Sequence, residues 1–254
     1  MTAARGKLIL VPNTLDFGVA DDASLQDVLP LGVIHIASRL THWVAENAKT
    51  TRAFLKRVDA IAPLAKPLQE IAIVELPRPA KGVRSPVQSD LKPLLQPALQ
   101  GHDIGLISEA GLPAVADPGA ALVQTAHAMK LQITALPGPS SLLLALAASG
   151  LNGQSFAFVG YLPVDAAERG QRIRELEALS KRSAQTQLMI ETPYRNEALL
   201  AALLAHLRGD TLLSVSCGLT LPQGWTRTDT VAQWKAGIAR MPADIPAVFS
   251  LLAP

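Results

Sequence analysis

IGLISEAGLPAVADPG, residues 104–119, places a strand signal, a loop signal and a helix signal end to end. Ile104 to Ile107 is an uninterrupted apolar run, which is what a strand buried on both faces of a parallel sheet requires. Ser108 to Pro113 then carries the glycine and proline of a tight connection. Asp117 is an N-cap candidate, Pro118 suits the first helical turn, and Leu122, Val123, Ala126 and Met129 fall on one helical face. A strand running through a Gly-Pro loop into a helix is the building block of an α/β sheet, whose ligands bind outside the carboxyl ends of the strands. Leu136-Pro137-Gly138-Pro139-Ser140-Ser141 repeats the construction, so the two loops are expected to line one crevice. Gly111 and Gly138 would admit close backbone approach, and Ser140 and Ser141 would supply a helix cap and hydroxyl contacts. Ordinary loop formation is the competing reading of the same residues.

The remaining chain extends this grammar in both directions. Lys7 to Val11 reads as a first strand ending at Pro12 and Asn13, and Val33 to Ala37 as a strand or strand end. Val44 to Val58 reads as a helix burying Phe54, Leu55 and Val58, with Ala45 to Arg52 marking the approach to it. Ile71 to Leu76 and Leu131 to Leu136 read as strands, Asp90 to Leu99 as a helix ended by Gly101, and Leu142 to Ala148 as a helix closed by Gly150. From Asn152-Gly153 the pattern changes: strands at Phe156 to Tyr161, Gln187 to Ile190, Leu212 to Val215 and Ala247 to Leu252 alternate with helices at Ala166 to Arg182, Glu197 to Leu207 and Val231 to Ala239. The expected fold is two α/β domains, 1–151 with a mostly parallel sheet and 152–254 with a mixed one.

Composition bounds the function. With 254 residues, 49% apolar and 17% charged, the chain has the make-up of a globular protein. No run approaches the roughly 20 apolar residues of a membrane span, and the N-terminal apolar run is too short for a secretory signal, so a cytoplasmic location is expected. The single cysteine, Cys217, allows no internal disulfide. No GxGxxG, GxxxxGK[ST] or GxSxG motif is present, and the five histidines show no close pairing, so no metal is expected. Net charge is only +2, but residues 39–92 carry ten Lys or Arg against five Asp or Glu. Within them Arg78, Lys81 and Arg84 stand among prolines and a glycine, a basic loop suited to an anionic substrate such as RNA or simply solvated.

At SEAGLPAVADPG the chain resembles the tetrapyrrole methylase superfamily of S-adenosylmethionine-dependent enzymes, in particular its 16S rRNA 2′-O-ribose methyltransferase branch, with SDAGTPxxSDPG at this place. The resemblance continues in order through AENAKTTRAFL beside AEDTRxTxxLL, PGPSSLLLALAASGL beside PGPSAxxxALxxSGL, FVGYLP beside FxGFLP and IETPYR beside YESPHR, covering residues 45–195. It implies two α/β domains with the cofactor in a cleft between them, and a homodimer. Carried over by position, Pro12, Asn13, Glu109, Ala110, Gly111, Leu112, Pro113, Ser140 and Ser141 would hold S-adenosylmethionine from the first domain. Tyr161, Glu191, Thr192 and Arg195 would do so from the second, with Glu191 and Arg195 more simply an ion pair that positions the cleft.

Two segments depart from the pattern: LVPNTLDFG stands where the branch has ATPxGNLxD, and AENAK where it has AEDTR. Both lie where the resemblance implies that an acceptor enters. Methyl transfer from a sulfonium is an in-line displacement, so alignment is the main task. For a ribose hydroxyl, Glu46 is the candidate base, or else a helix-start carboxylate favoured by the dipole. Lys49 and Arg52 are candidates for phosphate contact, or an exposed helix face. The expected function is RNA methylation, with methylation of a small molecule such as a tetrapyrrole, or silent binding of S-adenosylmethionine, as alternatives.

Overall fold

Leu8 and Ile9 are both buried and, being consecutive in a strand, point to opposite faces. The strand that carries them is therefore covered on both sides. The computed structural model describes residues 4–16, 24–77, 90–237 and 240–254, and the chain falls into two units, 1–139 and 140–254.

In the first unit the order is β1 (Lys7–Leu10), α1 (Leu31–Arg39), β2 (His42–Ala45), α2 (Ala48–Asp59), β3 (Ala72–Glu75), α3 (Gln96–Leu99), β4 (Ile104–Ile107), α4 (Ala120–Ala128) and β5 (Gln132–Ala135). The five strands form one sheet in the order β3-β2-β4-β1-β5, and every pairing is parallel. On one face Ile9, Val11, Trp43 and Ile107 pack with Val33, Ile34 and Ala37 of α1 and Phe54, Leu55 and Val58 of α2. On the other, Leu8, Val44, Ile104 and Leu106 pack with Leu95, Ala98 of α3, and Leu122 and Ala126 of α4.

The second unit comprises α5 (Ser141–Ser149), β6 (Phe156–Phe158), α6 (Ala166–Ser183), β7 (Thr186–Glu191), α7 (Asn196–His206), β8 (Leu212–Cys217), β9 (Trp225–Thr230), α8 (Val231–Ala236) and β10 (Ala247–Leu252). Its sheet runs β6-β7-β10-β8-β9, parallel only between β6 and β7. α5 lays Leu142, Ala145 and Leu146 on Leu188 and Val248, while α6, α7 and α8 cover the other face with Ile173, Leu176, Leu199, Leu203 and Trp234. Buried Glu177 on α6 takes the Arg208 N–H at 2.8 Å and the Thr211 hydroxyl, tying that helix to the turn before β8.

Both sheet types agree with the sequence expectation, while several elements differ from it. Val33 to Ala37 is not a strand but the middle of α1. The alternation of Val33 and His35 against Ile34 and Ile36 imitates a strand, yet the buried set Val33, Ile34, Ala37 and Ser38 has helical spacing. The helix expected from Val44 starts only at Ala48, because Trp43, Val44 and Ala45 belong to β2 and Asn47 is the N-cap. Asp90 to Leu99 is a 3-10 turn at Lys92–Leu95 followed by the short α3, since Pro93 and Pro97 remove helical donors. The helix expected at Pro118 with Asp117 as cap begins at Ala120 with Gly119 as N-cap. The expected boundary at 151/152 also differs from the division observed: α5 packs on β8, β9 and β10 and so goes with the second unit. β9 was absent from the expectation because its alternating residues, Thr226, Thr228 and Thr230 with Arg227 and Asp229, are polar on both faces.

Candidate functional site

Four strand ends bring polar loops to one edge of the first sheet: β1 ends toward Pro12 and Asn13, β2 toward Glu46 and Asn47, β4 toward Ser108 and Glu109, and β5 toward Pro137 and Gly138. β1 and β4 are adjacent, but the chain leaves β1 toward β2 and leaves β4 toward β5, in opposite directions across the sheet. That reversal makes the carboxyl ends of β1 and β4 the topological switch point, where a parallel sheet opens a crevice.

The loops are stitched together there. The Asn13 side-chain amide donates to the Ser108 carbonyl at 3.2 Å and the Glu109 carbonyl at 3.0 Å. The Asn13 N–H donates to the Gly111 carbonyl at 2.9 Å, and the Gly111 N–H returns to the Thr14 carbonyl at 3.3 Å. Gly111 sits at φ 65°, a left-handed conformation that suits a residue without a side chain. Gly138 faces a closer constraint, since a Cβ there would stand 2.3 Å from Pro12 Cβ. Only glycine lets the β1 and β5 loops approach so closely.

Glu109 is held on three sides. Its N–H donates to Glu46 Oε2 at 3.0 Å, its carbonyl accepts from Asn13, and its Oε1 accepts from the Asn47 amide at 3.0 Å. Asn47 is also the N-cap of α2: its Oδ1 accepts from the N–H groups of Lys49 at 2.9 Å and Thr50 at 3.4 Å. Asp117, rather than capping a helix, is a half-buried carboxyl whose pKa is pushed up to about 7, first by burial and then by the negative charges of Glu46 and Glu109. The Ser108 hydroxyl is buried and has no hydrogen-bond partner among the described residues. Beneath the β1 loop, Asp16 pairs with Arg57 of α2 at 3.1 Å and accepts from the Thr14 hydroxyl at 2.6 Å. No three His, Cys, Asp or Glu side chains among the described residues are grouped to hold a metal ion.

The expected site residues of the first unit are thus largely brought together: Pro12, Asn13 and Glu109 to Pro113 meet at this edge, and Glu46 touches Glu109. Glu46 is engaged as a clamp on the Glu109 N–H, which is a positioning contact. Lys49 and Arg52 are exposed on α2, one turn apart, with Lys56 continuing the same face. Arg78, Lys81 and Arg84 lie outside the described residues, as does the part of the β1 loop at Phe17 and Gly18.

In the second unit Ser140 is the N-cap of α5, but its hydroxyl makes no capping bond, contrary to expectation; the helix starts without it. Arg195 and Glu191 form the expected ion pair at 2.9 Å, and Glu191 also accepts the Thr192 N–H at 2.8 Å. Tyr161 is exposed, following Gly160 at the end of the β6 segment. Three residues of the first-unit edge, Asn47, Asp117 and Ser108, lie in segments that the sequence marks for the site, Glu46 to Arg52 and Ser108 to Gly119, but carry no individual site role there, Asp117 being read as a helix cap. The signal for Asn47 was available, because it is one of the positions where AENAK departs from AEDTR.

This pair of sheets, one parallel and one mixed, is the architecture of solved methyltransferases. A uroporphyrin-III C-methyltransferase from Thermus thermophilus covers 98% of this chain with 92% of its own, at 18% identity and TM-score 0.52. The methyltransferase CobJ covers 98% with 100% of its own chain, at 16% identity and TM-score 0.57. The chain belongs to the tetrapyrrole (corrin/porphyrin) methylase family, whose model matches residues 49–233. It is similar to the ribosomal RNA small subunit methyltransferase I of Mesorhizobium japonicum, 41% identical over 55% of this chain and 46% of that protein. It is also similar to that of Bacillus subtilis, 35% identical over 65% of this chain and 56% of that protein. The chain spans about half the length of these relatives.

Proposed function

We propose that the chain is an S-adenosylmethionine-dependent methyltransferase that acts on RNA, by resemblance on a ribose 2′-hydroxyl of small-subunit rRNA. The observation that carries this reading is the stitched edge at the switch point, where Asn13, Gly111 and Gly138 shape the backbone around the carboxylates of Glu46, Glu109 and Asp117. That donor set fits the group: S-adenosylmethionine carries a sulfonium and an ammonium, which anionic side chains stabilise, and the orphan Ser108 hydroxyl offers a buried polar partner. Bound there, the cofactor supplies an electrophilic methyl group.

The chain's own residues then have distinct tasks. Asn13 and Gly111 hold the loop after β4 in shape, Gly138 leaves room beside Pro12, and the carboxylates complement positive charge. Glu46 has one oxygen engaged by the Glu109 N–H and remains the candidate base by resemblance, while the Asp117 carboxyl, pushed up to about 7 by burial and its acidic neighbours, is a second group able to exchange a proton at this edge. Lys49, Arg52 and Lys56 give α2 an exposed cationic face of the kind that contacts phosphates, and the Arg78, Lys81 and Arg84 segment adds three more cations to the chain. The second-unit residues Ser140, Ser141, Tyr161, Glu191, Thr192 and Arg195, a homodimer and a cytoplasmic location belong to the proposal through the resemblance. No helix among the described residues is long and apolar enough to cross a membrane.

Incubating the purified protein with methyl-labelled S-adenosylmethionine and either small ribosomal subunits, total RNA or a small-molecule extract tests the reading. Label is expected in RNA. Label confined to small molecules would replace the acceptor, and no transfer to any fraction would refute the enzymatic reading. Methylation of a small molecule is the second reading, favoured by the two departures at Pro12 to Gly18 and Glu46 to Arg52, where the resemblance implies that an acceptor enters.

A further inference from the structure

The amino ends of the strands in the first sheet, opposite the switch point, carry a concavity of their own. Gly6, just ahead of β1, lies so close to the loop before β4 that a Cβ there would collide with the His102 carbonyl. Gly101 turns that loop at φ 92°, in the left-handed region that favours glycine. With the two segments pressed together, the Lys7 N–H donates to Asp103 Oδ1 at 2.8 Å, and the Arg5 guanidinium donates to the Met129 carbonyl at 3.3 Å. Between them and the end of α1 lies a pocket of about 480 Å³ whose wall includes Arg5, Lys7, Arg39 and His102. Ile9, Ile36 and Leu136 supply apolar wall. The His102 ring stacks on His42, with centroids 4.8 Å apart and planes inclined by 28°, so a braced flat ring belongs to the lining.

The charge of this pocket is lopsided. Three permanent cations line it with one carboxylate, Asp103, which already accepts the Lys7 N–H. Neither the Lys7 ammonium nor the Arg39 guanidinium makes an ion pair or hydrogen bond among the described residues. Cations gathered without anionic partners repel one another, and a bound anion relieves that repulsion.

We propose that this pocket binds a phosphate monoester of mononucleotide size, a nucleoside 5′-monophosphate. Its volume is that of a small-molecule site. A monoester carries about −1.5 to −2 charges near neutral pH, which complements three cations less one carboxylate better than the single charge of a backbone diester does. The arginines offer the planar fork that pairs with phosphate oxygens, and Lys7 adds a point charge. A base would cover the apolar wall and meet the His102 ring, which a sugar phosphate without a base would leave bare. The site is separate from the donor edge, because Lys7 opens β1 and Asn13 lies six residues beyond it, about 20 Å along the strand. The proposal therefore stands independently of the donor reading.

The test is calorimetric titration of the full chain with the 5′-monophosphates of adenosine, guanosine, cytidine and uridine, each with and without excess S-adenosylmethionine. At least one is expected to bind saturably with the same affinity in both conditions, and its parent nucleoside at least about tenfold more weakly. Arg39→Gln and Lys7→Gln should each weaken that binding about fivefold or more, whereas Arg182→Gln, which removes an exposed cation of the second unit, should not. Thermal unfolding of the variants at the wild-type temperature would show that the losses are local. Absence of binding by all four nucleotides, displacement by S-adenosylmethionine, or full affinity in Arg39→Gln would overturn the proposal. So would equal binding of a dinucleotide that carries only a diester. Nucleotide binding by a protein that takes no donor would support this site and count against the donor reading alone.

Discussion

Asp117 shows what the surroundings of a single residue do. Its carboxyl is driven to about 7 in the folded protein by burial and by Glu46 and Glu109, against an ordinary value of 3.8. A raised folded pKa means that folding favours the protonated form, so the contribution to stability is fully present below the unfolded value and is lost as pH rises through about 7. The wild-type protein should therefore lose thermal stability relative to Asp117→Asn between about pH 4 and pH 8, measured by unfolding temperature across that range. A difference that stays flat would mean that Asp117 is not held protonated. The same group ties proton release to ligand charge: a cation bound beside Glu46, Glu109 and Asp117 favours the ionised carboxyl, so affinity for S-adenosylmethionine should rise as pH passes through about 7, and the rise should flatten in Asp117→Asn.

Elements carry the next set of consequences, and they also explain what was legible in the sequence. β4 and β10 have the bounds expected, Ile104–Ile107 and Ala247–Leu252, because each is a short, mainly apolar run bounded by turn residues and too short for a buried helix, with only Gly105 and Ser250 interrupting. α1 was misread because five residues, VIHIA, are too few to separate a period of 2 from one of 3.6, and only the buried neighbours of Ile34 and Ala37 decide it. β9 escaped because an edge strand with threonines, an arginine and an aspartate presents no apolar periodicity at all. On α2, exchanging Lys49, Arg52 and Lys56 for glutamate should weaken RNA binding and reduce its salt dependence by about three counterions' worth of slope, as measured by titration over a salt series. An unchanged slope would show that this face is merely solvated. In the second unit, Glu177→Ala should destabilise the protein by roughly 1–3 kcal/mol, because the Arg208 N–H and Thr211 hydroxyl lose a buried acceptor. Chemical denaturation would show a lower midpoint if that is so.

For the whole molecule, the two sheet types were readable in outline from the rhythm of strands and helices, whereas the site was readable only in part. Asn13 and Glu109 to Pro113 were legible through the resemblance, since glycine, proline and asparagine beside a buried strand are by themselves ordinary loop formers. Asn47 and Asp117 were not, because their roles arise from partners 62 residues away for Asn47 and from a shared carboxylate environment for Asp117, neither of which local pattern encodes. The strand order does this work: by placing β4 between β2 and β1 it brings residues 13, 46, 47 and 109 to one edge. At this edge the protein is proposed to seat S-adenosylmethionine. Calorimetric titration of the wild-type protein and of Gly138→Ala tests it most directly, since a Cβ at 138 would stand 2.3 Å from Pro12 Cβ and force the two loops apart. Saturable binding of the donor by the wild type, lost or weakened at least about tenfold in a folded Gly138→Ala protein, is the expected result. No binding by the wild type, or equal affinity in both proteins, would contradict it.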